Sequence, residues 1–166
     1  MSKLTRFLLE GHCYHVTTRT KEDRPVFQEA ANARVLLEAL HFIRRDRAYL
    51  LGYAILPDHL HVVVAPRGAY TISRIMQTVK GYASRVINAR NGQRGALWQV
   101  SFHDRVIRDE GHLVDTLDYI HRNPVAAGLA KTPEEYPFSS AHPEAETDLE
   151  SFLSGSAEAG KPRLRK

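Results

Sequence analysis

The sequence predicts an α+β fold: an antiparallel β-sheet with helices packed on it. Three observations lead there. Residues 48–56 and 59–65 are apolar, partly β-branched runs separated only by Pro57-Asp58, the chemistry of a tight turn between antiparallel neighbours. Three further stretches, near 29–45, 71–91 and 109–122, repeat apolar residues at helical spacing. The two kinds of segment interleave as β, α, β, β, α, β, α, and 166 residues with 43% hydrophobic content suffice for one domain with a core.

The elements follow in order. Residues 12–19 (His-Cys-Tyr-His-Val-Thr-Thr-Arg) are β-prone, with Tyr14, Val16 and Thr18 on one face and Cys13, His15, Thr17 and Arg19 on the other. Arg24-Pro25 interrupts the pattern. From Glu29 to about Arg45, Val35, Leu36, Ala39, Leu40 and Ile43 form the stripe of an amphipathic helix. Residues 48–56 are so uniformly apolar that a central place in the sheet is expected. After Pro57-Asp58 the strand 59–65 returns antiparallel.

Thr71 opens the best helix, with Ile72, Ile75, Met76, Val79, Ala83, Val86 and Ile87 on one stripe and Tyr82 at its edge. Asn91-Gly92 and Gly95 end it in a loop. Leu97-Trp98 begins an extended stretch in which Trp98 is expected as a core anchor, and 102–108 reads as another strand. From Asp109 to about Arg122 a last helix has Leu113, Leu117 and Ile120 as its stripe, with Val114 beside them. Along one flank His112, Thr116, Tyr119 and Asn123 line up, and Pro124 is expected to end or break the helix. The expected domain is 1–140. Residues 141–166, running from acidic through Ser/Gly/Ala to a basic end, are expected to be a flexible tail.

Composition narrows the class. One cysteine, Cys13, excludes an internal disulfide and a thiolate-rich zinc site, and no run reaches the length of a membrane span, so a cytoplasmic protein is expected. The formal charge is +4, with Arg74, Lys80, Arg85, Arg90, Arg94, Arg105 and Arg108 gathered in the middle. That suits a polyanion such as nucleic acid, or an ordinary solvated surface.

The chemistry centres on Pro57-Asp58-His59-Leu60-His61. In a strand His59 and His61 share a face, about 7 Å apart by the rise per residue, and can share one metal ion. Two solvated or hydrogen-bonded histidines at a strand start are the alternative. Such a pair suits Mg²⁺ or Mn²⁺ weakly and Zn²⁺ better, so the ligands leave the metal open. A metal beside a tyrosine hydroxyl has one natural use with a polyanion, attack on phosphorus to form a covalent ester.

These residues carry a resemblance. The run 57–61 resembles the His-hydrophobic-His motif of the single-tyrosine HUH transposases. So do Tyr14-His15-Val16-Thr17-Thr18-Arg19-Thr20, Pro25-Val26-Phe27, Leu97-Trp98-Gln99, Phe102-His103-Asp104 and Val106-Ile107-Arg108-Asp109-Glu110. Asp118-Tyr119-Ile120-His121-Arg122-Asn123-Pro124-Val125, Gly128-Leu129 and 133–140 (Pro-Glu-Glu-Tyr-Pro-Phe-Ser-Ser) complete an ordered set over about 12–140. The set is most similar to the branch called REP-associated tyrosine transposases.

The resemblance implies a ferredoxin-like or RRM-like sheet, with His59 and His61 as metal ligands, Asn123 as the third ligand and Tyr119 as the nucleophile. It implies Mg²⁺ or Mn²⁺ as the metal and single-stranded DNA beside a small hairpin as the substrate. Nicking would pass through a 5′-phosphotyrosine, and the oligomer could be monomer or homodimer. Arg74, Lys80, Arg85, Arg105 and Arg108 are the DNA-binding candidates. Tyr82 is the rival nucleophile, and His112 is a candidate for the site's edge. The competing functions are a phosphoesterase whose nucleophile is water and a nucleic-acid-binding protein without chemistry.

Overall fold

A computed structural model describes residues 12–155. Four strands, β1 (Tyr14–Arg19), β2 (Ala48–Leu56), β3 (His59–Pro66) and β4 (His103–Val106), form one sheet in the order β2-β3-β1-β4. Every pairing is antiparallel. Helix α1 (Ala30–Arg44) joins β1 to β2, and α2 (Ile72–Asn91) joins β3 to β4. Helix α3 (Glu110–Ala126) and a short α4 (Leu149–Leu153) follow. The β-α-β-β-α-β order with this strand sequence is the ferredoxin-like arrangement.

Strand alternation sorts the helices into two layers. Val16, Leu60, Val62 and Val64 face α1 and α2, whose Leu36, Leu40, Ile43, Ile75, Met76 and Val79 complete one core, joined by Trp98. Cys13, Val63 and Ala65 face the other way and pack with Leu113, Leu117 and Ile120 of α3 and Phe152 of α4. Trp98 is the expected core anchor, its ring 5.3 Å from Phe27 and its indole N–H donating to the Lys80 carbonyl at 3.1 Å.

Four expectations are corrected. The apolar strand β2 lies at an edge, not in the centre. Its continuous apolar pattern arises because both faces are covered and its outer rim is sealed. Ile55 N–H donates to the Phe138 carbonyl, Ser140 N–H to Tyr53, and Asp148 N–H to Leu50, at 2.8–2.9 Å. Residues 141–155 are therefore not a loose tail. The Asp148 carboxylate accepts from Leu50 N–H at 2.9 Å and Arg44 Nε at 3.0 Å, and the Phe152 ring packs tilted against Tyr49 with centres 5.7 Å apart. Residues 156–166 lie outside the described residues.

Helix α3 runs through Pro124 to Ala126. Proline's φ suits a helix, and this one falls in the last turn, where it forfeits a single bond. The end is a Schellman motif, with Leu129 N–H bonding the Pro124 carbonyl, Gly128 N–H bonding Val125, and Gly128 at φ +75°. Val114, placed beside the core by spacing, is exposed.

The β2–β3 register shifts between Leu50 and Gly52. This bulge changes the parity of β2, so that Tyr49 and Leu51, then Ala54 and Leu56, all reach the α3 face. Gly52 sits there because a Cβ would stand 2.2 Å from Leu117 Cδ2 and 3.2 Å from Ser140 Oγ. The sheet and α3 thus approach closely two residues before Tyr119.

Candidate active site

His59 opens β3, directly after the two-residue turn Pro57-Asp58. That turn is tied down, since its carbonyls accept from Phe27 N–H and Thr20 N–H at 2.9 Å. The strand period turns His61 to the α3 face, where it is buried. The two imidazole centres are 4.9 Å apart and nearly perpendicular. Both rings are held by Nδ1. His59 Nδ1 lies 2.6 Å from Asp58 Oδ1, whose second oxygen faces Arg19 at 3.5 Å. His61 Nδ1 lies 3.0 Å from His15 Nε2 and 3.1 Å from Thr17 Oγ1.

Burial pushes the His61 pKa down to about 3, with His59, His15 and Arg19 adding to the effect. Burial takes His15 down to about 4, helped by Arg105 and His112. Both imidazoles are neutral at pH 7, the form in which a ring nitrogen can bind a cation.

Helix α3 brings Tyr119 over this face. Asp109 caps the helix, accepting from His112 N–H at 2.7 Å, and Leu113, Leu117 and Ile120 fasten it to the sheet. Tyr119 on the adjoining flank is 57% exposed, although its ring stands edge-on to His61 at 5.8 Å and to His15 at 6.5 Å. A large phenol left in solvent beside the buried His61 is reachable by a macromolecular substrate. It lines a cleft of about 590 Å³ with His15, Thr17, His61, His103, Asp104, Arg105, His112, Asp115 and Thr116.

The structure thus brings His61, Tyr119, Arg105 and His112 into one cleft, with the His59 ring against His61. Asn123 lies half-buried one turn beyond Tyr119 and, like His59, is not part of the cleft wall. Among the described residues, no cluster of three or more His, Cys, Asp or Glu is arranged to hold a metal. Arg108 is exposed in the short connection between β4 and α3, two residues beyond the strand. Arg74, Lys80 and Arg85 do not join them, because α2 packs on the opposite face of the sheet. Lys80 is already engaged, donating to the carbonyls of Gln99 and Ser101 at 3.1 and 3.3 Å, and Arg85 lies over the Tyr82 ring at 5.8 Å. Tyr82 is on that far layer as well. Its hydroxyl donates to Glu38 at 3.0 Å, which pushes its pKa up.

Sequence reasoning missed His15 and Thr17 as partners of His61. Their signal was present in the shared face of β1, but only the register Thr17 opposite His61 connects it to β3. The acidic wall of Asp104 and Asp115 was missed too, and single acids on a strand and a helix give no signal of their own.

Comparison with known proteins bears on this geometry. The chain is 26% identical over 144 residues to the REP-associated tyrosine transposase of Escherichia coli (strain K12), covering 86% of this chain and 84% of that one. It is 30% identical over 109 residues to a protein of Haemophilus influenzae described as a REP-associated tyrosine transposase, covering 60% and 62%. A solved REP-associated tyrosine transposase bound to a REP hairpin superposes with a TM-score of 0.68 at 25% identity, covering 80% of this chain and 78% of that one. No helix among the described residues is long and apolar enough to cross a membrane. The pattern of the family described as IS200-like transposases matches residues 9–123, spanning both histidines, Tyr119 and Asn123, and the chain belongs to that family.

Proposed function

We propose that this chain nicks and rejoins single-stranded DNA, with the Tyr119 hydroxyl as nucleophile and a divalent cation, Mg²⁺ or Mn²⁺, bound by His59 and His61. The observation that carries the reading is the meeting of an exposed, helix-borne phenol with a buried, neutral imidazole of the histidine pair at 5.8 Å. The donor set fits a cation, because both rings make their hydrogen bonds through Nδ1, on the side away from Nε2, and Nε2 can bind a cation when Nδ1 carries the proton. Asn123 is proposed as a third, oxygen donor on the strength of its place one helical turn after Tyr119. When bound, the cation would draw negative charge from the scissile phosphate.

Helix α3 holds the phenol over the cleft floor, so a strand laid in the cleft meets Tyr119 in a fixed orientation. The Tyr119 oxygen bonds to phosphorus as the P–O3′ bond breaks. The phenol proton passes to water and the departing 3′-oxygen takes one up, giving a 5′-phosphotyrosine and a free 3′-hydroxyl. Attack by another 3′-hydroxyl on that ester restores the phenol and joins the strands. A hairpin beside the nicked strand is the proposed substrate, following the hairpin-bound relative. Arg105 in the cleft wall and the exposed Arg108 in the β4–α3 connection are the proposed phosphate contacts. Residues 1–140 are proposed as the segment that supplies the site residues, with 141–155 closing the β2 edge behind them.

The test is to incubate the chain with Mn²⁺ and a hairpin-flanked single strand and look for an adduct that survives a denaturing gel. Tyr119→Phe is expected to bind DNA and metal yet form no adduct and no nick. Nicking by the Phe variant would favour a water nucleophile. Linkage mapped to Tyr82 would move the role there, and binding without any nick would leave a nucleic-acid-binding protein.

A further inference from the structure

His61 and His59 are held by different devices, and the difference assigns roles to residues outside the proposed ligand set. His59 has a carboxylate partner, Asp58, which accepts and never donates when ionised. His61 has only neutral partners, His15 Nε2 at 3.0 Å and Thr17 Oγ1 at 3.1 Å, both on its Nδ1. A neutral imidazole carries one proton, so its two nitrogens trade roles. If Nδ1 carries the proton, Nε2 has the free lone pair; if Nδ1 accepts, Nε2 is protonated and closed to a cation.

We propose that His15 and Thr17 are positioning residues that select the Nδ1–H form of His61 and aim its Nε2 at the cation site. This rests on the reading of His61 as a ligand. On this proposal His15 accepts through Nε2 and so carries its own proton on Nδ1, while His61 donates through Nδ1 and keeps Nε2 free. Thr17 shares the same donor and stands directly opposite His61 in the β1–β3 ladder, so the strand register sets its distance. His15, opposite Val63, reaches His61 diagonally, its ring centre 5.2 Å away. Tyr119 closes over both rings, 5.8 and 6.5 Å from them. The arrangement supplies what a carboxylate gives His59, without adding charge to a buried site.

The experiment uses the full chain, first stripped of metal with EDTA and read by ¹⁵N NMR of the histidine rings. Wild-type His61 is expected with its proton on Nδ1. The double variant His15→Phe with Thr17→Val should show the Nε2–H form or a mixture. Its Mn²⁺ affinity, by calorimetry, should fall about 10- to 100-fold, the usual cost of removing an outer partner. Thr17→Ser, which restores the hydroxyl alone, should recover part of that loss in the His15→Phe background. A folded double variant with wild-type tautomer and wild-type Mn²⁺ affinity would overturn the proposal. Should the double variant fail to fold, the near-isosteric Thr17→Val decides by the same two readouts. The parent reading fails separately, if His61→Ala keeps Mn²⁺ affinity.

Discussion

Replacing Gly52 by alanine tests whether the sheet-to-helix spacing sets the position of Tyr119. The new methyl would lie 2.2 Å from Leu117 Cδ2, and ordinary contact begins at 3.4 Å, so the pair must separate by about 1.2 Å. Leu117 can swing its end only into neighbours already packed, since it is buried in the core under α3. The other relief is a shift of α3 itself. Ser140 Oγ, 3.2 Å from the new methyl, is also constrained, because it accepts from Tyr53 N–H at 2.9 Å and meets His121 Nε2 at 2.7 Å. Overpacking of this kind costs about 1–3 kcal/mol, read as a lower urea midpoint. A displacement of about 1 Å at a nucleophile costs about 100-fold in rate, so nicking should fall far more than folded fraction. Leu117→Ala alone should destabilise by about 2–5 kcal/mol through its cavity. Combined with Gly52→Ala it should cost less than the two separately, because the clash and the void cancel in part. A folded Gly52→Ala protein that nicks at the wild-type rate, or strictly additive energies in the pair, would refute the reasoning.

Two other outcomes follow from placements in the structure. Arg105→Ala should weaken binding of a hairpin-flanked single strand and flatten its salt dependence, whereas Arg85→Ala, on the far layer, should leave both unchanged in a filter-binding titration. Burial raises the Cys13 thiol to about 12, so the folded chain keeps a proton that the unfolded chain loses from about pH 9. Stability should therefore fall as pH rises through that window, less steeply in Cys13→Ala, and iodoacetamide at pH 8.5 should label Cys13 only after denaturation.

The sequence disclosed what periodicity and turn chemistry encode. The stripe Val35, Leu36, Ala39, Leu40, Ile43 and the Pro57-Asp58 turn lie where they were read, and strand parity put His59 and His61 on one face. What it could not disclose was register between distant strands. His15 and Thr17 stand 46 and 44 residues from His61, and nothing local announces that they meet. The place of β2 was misread because burial on two faces gives the same apolar run at a sealed edge as at a centre. Residues 141–155 looked like a tail since their anchor is a polar residue, Asp148, bonding to backbone, and their apolar part is a single short helix. For the basic residues, helical spacing gave a face of α2 but not the layer that α2 would join.

The β2–β3 hairpin has a consequence for the order in which the protein assembles. Its strands are joined by two residues, whereas β1 must wait for β3 and then for β4, across the whole of α1 and α2. Local pairings close with the least entropy loss, so this hairpin is expected to lead and the β1–β4 pairing to come late. The histidine pair would then be aligned on its strand before either Thr17 or Tyr119 arrives, and the site would mature by successive docking onto a prepared edge. Pulse-labelled hydrogen exchange should see amides of β2 and β3 protected ahead of those of β4, and simultaneous protection would rule that sequence out. On this account a nascent chain would align its histidine pair well before α3 docked, and Tyr119, the proposed nucleophile, would reach the site later.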